Sequence, residues 1–133
     1  MSNIKILDCT LRDGGYINNW DFGENNIKKI LQNLISAKLD FVECGFLKTQ
    51  DYNKEKTFFP NYDYLEKILP KNFTQTKFTL MINFGEYPIE NLPNCNNKNI
   101  ALRIVFKKNE KEEAIKYCNE LINKNYNIFV NPM

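Results

Sequence analysis

The sequence predicts an α/β fold, a parallel sheet of about five strands with flanking helices. Three observations lead there. Short apolar runs alternate along the chain with segments whose apolar residues recur at helical spacing. Polar connections separate them, and no linker or low-complexity stretch interrupts the order. The 133 residues suffice for one core, because a domain of that size buries about 65 to 70% of the surface its unfolded chain exposes.

Residues 4–8, IKILD, are the first expected strand. After a polar loop, FGENNIKKILQNLISAKLD repeats Ile27, Ile30, Leu31, Leu34 and Ile35 at helical spacing. Residues 40–46, DFVECGF, give a second strand, and a long loop through Tyr52 and Phe59 follows. In NYDYLEKILP, Asn61 is placed to cap a helix carrying Tyr64, Leu65, Ile68 and Leu69, and Pro70 stops it. Residues 76–83, TKFTLMIN, and 99–106, NIALRIVF, are strands three and four, joined by a short polar connection around Pro88 and Pro93. NEKEEAIKYCNELINKN is amphipathic, with Asn109 as the expected cap and Ala114, Ile115, Cys118, Leu121 and Ile122 on one face. Residues 126–130 supply a fifth strand.

Strands alternating with helices favour right-handed βαβ units and a parallel sheet. An open doubly wound sheet and part of a (β/α)8 barrel both fit this order. Either architecture puts a ligand site at the carboxyl ends of the strands. Asp8 and the residues after it, Glu43, Asn83, Arg103 and Asn131 fall at or near such ends.

Composition excludes several function classes. Lys and Arg number 18 against 16 Asp and Glu, and they are spread along the chain, so no basic patch argues for nucleic acid. Cys9, Cys44, Cys95 and Cys118 have no C-x-x-C spacing and follow no secretion signal, which leads us to expect reduced thiols and a cytoplasmic protein. No apolar segment approaches the roughly 18 to 20 residues of a membrane span. Histidine is absent, which removes the commonest neutral metal ligand and the commonest general base.

The stretch LDCTLRDGGY, residues 7–16, is unusually charged for a strand end. Arg12 offers a fixed cation for a carboxylate or enolate oxygen, and Asp13 a hard oxygen ligand for a divalent ion. Gly14 and Gly15 would let the backbone turn sharply toward a ligand; a plain surface Arg–Asp turn is the alternative. Glu43 stands among apolar strand residues, so its carboxylate is expected on the opposite face, paired with Arg12 because a buried charge needs a partner. Arg103, amid IALRIVF, needs a partner or a ligand in the same way. Asn83 and Asn131 fit either ligand contacts or turn residues. Tyr16, Trp20 and Phe22 either cover the mouth of a site or pack a long loop. Cys9 and Cys44 lack a histidine partner and read as small apolar residues.

LDCTLRDGGY, together with FVECGF at residues 41–46, resembles the family of metal-dependent aldolases, lyases and Claisen-type synthases that share a (β/α)8 barrel. That family includes 4-hydroxy-2-oxovalerate aldolase, 3-hydroxy-3-methylglutaryl-CoA lyase and the isopropylmalate and homocitrate synthases. The resemblance implies that Arg12 steadies the enolate oxygen of a bound 2-oxo acid, that Asp13 ligates a divalent metal (Mn or Mg), and that Glu43 lies beside the arginine. Arg103, Tyr16, Asn83 and Asn131, by their own positions at or after the strand ends, are the candidate substrate contacts. Two departures stand out: Tyr16 occupies the position of an aldolase histidine, and the family's late His-x-His metal ligands have no counterpart. A barrel of this class takes about 250 residues, so residues 1–133 are expected to be the amino-terminal half of one, inert and metal-free by themselves. The expected parent is an aldolase cleaving a 4-hydroxy-2-oxo acid. A Claisen-type acyl-CoA synthase and a non-catalytic half-barrel binding module are the alternatives. A half barrel would also expose its inner face, for which a homodimer burying Leu7, Phe41, Leu80 or Phe129 is expected.

Overall fold

The computed structural model describes residues 3–71 and 75–133. The strands are β1 (Leu7–Asp8), β2 (Phe41–Leu47), β3 (Phe58–Phe59), β4 (Lys77–Asn83), β5 (Ile100–Phe106) and β6 (Asn127–Pro132). The helices are α1 (Glu24–Ser36), α2 (Tyr62–Ile68) and α3 (Lys111–Asn123). All named strands pair in parallel in the order β1-β2-β4-β5-β6, and β3 pairs with β2. The expected α/β class and parallel sheet are therefore present, with β3 as a short addition along the edge that β1 leaves open.

Alternation divides the side chains between two faces of the sheet. Val42, Cys44 and Leu47 of β2, Phe78, Leu80 and Ile82 of β4, and Ile100, Leu102 and Ile104 of β5 pack with Ile27 and Leu31 of α1, Leu65 of α2, and Cys118 and Leu121 of α3. The opposite face carries Glu43, Thr79, Met81, Arg103, Val105 and Phe129. The rings of Phe41 on β2 and Phe129 on β6 meet edge to face, 5.2 Å between centroids, although β4 and β5 lie between their strands. The sheet is thus curled, with this second face concave.

A register shift between Glu43 and Phe46 interrupts the β2–β4 pairing. Gly45 sits there at φ +148°, and a Cβ at that position would lie 2.0 Å from the Thr57 carbonyl oxygen. Only a glycine lets the loop come this near, and Phe46 N–H uses the approach to donate to Thr57 O at 3.1 Å.

Several expected boundaries and faces are corrected. The first strand shrinks to two residues, and Ile4 and Ile6 are exposed beside it. Asn61 does cap α2, its side chain accepting from Asp63 N–H at 3.1 Å. Asn109 does not cap α3: it lies within a 3-10 turn, Lys108–Glu110, where the Glu110 carboxylate accepts from Lys107 N–H at 2.7 Å. Ile115 and Ile122 are exposed, because the buried stripe of α3 is Ala114, Cys118 and Leu121. Leu80 is fully buried on the helix-covered face, so it is not available to a dimer formed over the concave one. Among the described residues, no helix is long and apolar enough to cross a membrane.

Candidate functional site

The chain leaves β1 and turns at once. Asp8 accepts from the Thr10 N–H at 2.9 Å and the Thr10 hydroxyl at 3.0 Å. The Cys9 carbonyl accepts from the N–H groups of Arg12 (3.1 Å) and Asp13 (2.7 Å), and a 3-10 helix, Asp13–Ile17, follows. Gly15 gives room to a neighbouring side chain. A Cβ there would lie 2.0 Å from the Trp20 indole, whose Nε1–H donates to the Arg12 carbonyl at 2.6 Å. The missing side chain of Gly15 admits Trp20, and Trp20 holds the Arg12 backbone in place. From below, the buried Thr57 hydroxyl donates to the Leu11 carbonyl at 2.8 Å.

Glu43 is fully buried. Its Oε1 accepts from Arg12 Nε at 2.6 Å, and Arg103 Nη1 donates to both carboxylate oxygens at 2.9 Å. Arg103 reaches it from β5 across the intervening β4. Each charge in this trio is removed from water, and each has an opposite charge within hydrogen-bond distance. Burial works against the Arg12 charge, but the hydrogen bond and charge of Glu43 outweigh it and leave the guanidinium pKa above its ordinary value. On the solvent side, Arg12 Nη1 also pairs with Asp13 Oδ1 at 2.9 Å. Two cations share one buried anion, and the exposed Asp13 adds a second negative charge beside Arg12.

Both nearby cysteines have surroundings that disfavour the thiolate. Burial, then the charge of Glu43, pushes the Cys9 thiol up, and the same order of causes pushes Cys44 well above the usual range. All four cysteines are free.

At the carboxyl ends of the strands lies a cavity of about 440 Å³ lined by Arg12, Tyr16, Asn83 and Asn131, four of the expected site residues. The exposed Tyr16 ring meets Trp20 edge-on at 4.7 Å. Asn83 Nδ2 donates to Glu86 Oε2 at 3.1 Å. Glu86 also pairs with Lys48, and that hydrogen bond holds its carboxyl below the usual range against the opposing effect of burial. Arg103 does not reach this cavity. It opens instead onto a second hollow on the concave face, nearer the amino ends of the strands. Asp13 is two-thirds exposed, with Arg12 as its partner. Among the described residues, no group of three or more His, Cys, Asp or Glu side chains is placed to hold a metal ion.

Sequence reading missed Glu86, Lys107 and Glu110, which also line the cavity. They sit a few positions past the ends of β4 and β5, in FGEYP and FKKNE. Taking the loop residues after each strand, and not only the strand-end residue, would have found them. No protein-family model, no curated protein and no solved structure matches the chain. The functional reading therefore rests on the resemblance carried by LDCTLRDGGY and FVECGF, together with the chain's own residues and geometry.

Proposed function

We propose that this chain forms one side of a (β/α)8 barrel whose chemistry is the retro-aldol cleavage of a 4-hydroxy-2-oxo acid through a pyruvate-type enolate. One observation carries the reading: Arg12, fixed by the buried Glu43 and by Trp20, presents its guanidinium to a cavity at the carboxyl ends of parallel strands. Among the described residues its Nη2 makes no hydrogen bond, which leaves a donor for an oxygen of the substrate. In such a cleavage a base supplied from outside these 133 residues would take the 4-hydroxyl proton. The C3–C4 electron pair would pass into the C2–C3 bond as the aldehyde leaves and negative charge gathers on the C2 oxygen, and protonation at C3 would then give pyruvate. A fixed cation at that oxygen stabilises the charge as it forms. Glu43 is then a positioning residue, since it touches Arg12 and no part of the cavity. Asn83 and Asn131 offer amide groups to the rest of the acid.

The residues present do not complete a divalent-metal site. Asp13 is paired with Arg12, and the cluster needed to hold an ion is absent among the described residues. The family's metal would need ligands from outside these 133 residues, and the reading expects the chain alone to show no turnover. The same observation favours a second reading, a non-catalytic module that keeps the scaffold and binds an acid without cleaving it.

The experiment is an assay of the protein expressed with all coding sequence that continues in frame, with added Mn²⁺ or Mg²⁺. Pyruvate release from a 4-hydroxy-2-oxo acid, lost in Arg12→Ala and barely recovered in Arg12→Lys, supports the aldolase. Acetyl-CoA consumption without pyruvate release would make the protein a Claisen-type synthase, and binding without turnover would make it the module.

A further inference from the structure

Arg103 uses only one nitrogen on its neighbours. Nη1 donates to both oxygens of Glu43 and lies 3.6 Å from the Cys9 sulfur. Nε and Nη2 make no hydrogen bond among the described residues. This guanidinium lines the second hollow, about 500 Å³ on the concave face, which shares no lining residue with the cavity at the strand ends.

The rest of the hollow suits an anion with an apolar body. Leu7, Phe41, Phe129 and Val130 line it, and no acidic residue among those described does so. Thr79 also lines it. That threonine is fully buried, and its Oγ1 has no hydrogen-bond partner. A buried hydroxyl without a partner is costly, at roughly 1–3 kcal/mol, and it marks a place where a polar group is wanted. The exposed Lys5, its Nζ 5.9 Å from the centre of the Phe41 ring, adds a second positive charge.

We infer that this hollow binds a small carboxylate with an apolar tail of roughly four to eight carbons, a size its volume accommodates. The carboxylate takes the unused donors of Arg103 and the hydroxyl of Thr79, and the tail lies against Phe41, Phe129 and Leu7. A purely apolar occupant would leave those polar groups unsatisfied. A second copy of the chain docked here by two-fold symmetry would bring two such cationic patches into one interface. The site uses a different cavity from Arg12 but needs the concave face to be open: in the closed barrel proposed above that face is packed interior, so the inference applies to the 133-residue chain by itself.

Titration of the ¹⁵N-labelled chain with hexanoate, butanoate and 1-hexanol tests this. Hexanoate is expected to saturate with shifts at Thr79, Arg103 and Phe129, and 1-hexanol to bind about tenfold more weakly or worse for want of the charge-assisted bonds. Phe129→Asp, at a partly exposed position on the concave face, should weaken hexanoate by about tenfold or more without changing the circular dichroism, because it removes an apolar wall and sets a carboxylate beside the bound one. Thr79→Val should weaken it by about two- to fivefold. The inference is overturned if alcohol and acid bind alike, if the shifts fall on Tyr16 and Asn83, or if Phe129→Asp changes nothing. It is also overturned if light scattering gives twice the 15.8 kDa of one chain while hexanoate fails to bind, which makes a second copy the occupant.

Discussion

Replacing Glu43 by glutamine keeps the shape of the side chain and removes the charge that two arginines share. In the native arrangement three contacts of 2.6 to 2.9 Å join a carboxylate with no exposure to guanidinium groups whose side chains are 13% and 15% exposed. A glutamine oxygen still accepts from one arginine, but its NH₂ group faces the other as donor to donor. Removing one partner from a buried ion pair typically costs about 3–5 kcal/mol. The small remaining exposure of both arginines argues for the lower end, about 3 kcal/mol. With a urea dependence of about 1–3 kcal/mol per molar for a domain of this size, the unfolding midpoint should fall by about 1–3 M. Circular dichroism and the fluorescence of the single tryptophan would follow it. A variant with Met at Arg12, Glu43 and Arg103 together should recover most of the loss, since no buried charge is then left unpaired. A fall of less than about 1 kcal/mol, the value of an exposed ion pair, would refute the claim that this trio is desolvated.

Gly15→Ala places a methyl group where the Trp20 indole stands, 2.0 Å away; it should cost about 1–3 kcal/mol and shift Trp20 emission to the red, whereas Gly14→Ala, whose Cβ would come no nearer than 3.9 Å to Thr10, should do neither. Stability should decline in alkali. Burial raises the Tyr87 phenol from 10.0 to about 12 and pushes Tyr117 and Tyr126 higher still. Each hydroxyl donates to a carbonyl, of Pro60, Tyr87 and Pro93 respectively. The folded state therefore keeps protons that the unfolded chain loses above pH 10, so stability is full below that pH and is lost as pH climbs through about 12. Tyr87 alone contributes on the order of 2 kcal/mol of the decline, and Tyr87→Phe should flatten the pH dependence of a thermal melt.

The fold was largely legible in the sequence because periodicity reports which face of an element is buried. Alternation in FVECGF set Glu43 on the face opposite Val42 and Cys44, whereas Leu80, expected on the open inner face, lies on the helix-covered one. The Asn61 cap was readable because its bond is local. Ile115 and Ile122 were misplaced because an apolar residue beside a buried stripe carries no mark of whether a neighbouring element covers it. The Glu43–Arg12 pair could be anticipated, since a carboxylate in an apolar strand needs a cation. That Arg103 shares the same carboxylate could not, because nothing local tells how far the sheet curls. Nor could the use of Gly15 as room for an indole be read without knowing where Trp20 folds back.

The most direct test of the central claim uses oxalate, a planar dianion that resembles the enolate of pyruvate, titrated into the ¹⁵N-labelled chain and its Arg12→Lys variant. If Arg12 and the cavity at the strand ends form an enolate site, saturable shifts should appear at Arg12, Tyr16, Asn83 and Asn131. Binding should weaken by about tenfold or more when the planar fork becomes a point charge. Shifts confined to residues away from that cavity, or an affinity indifferent to Arg12→Lys, would contradict it.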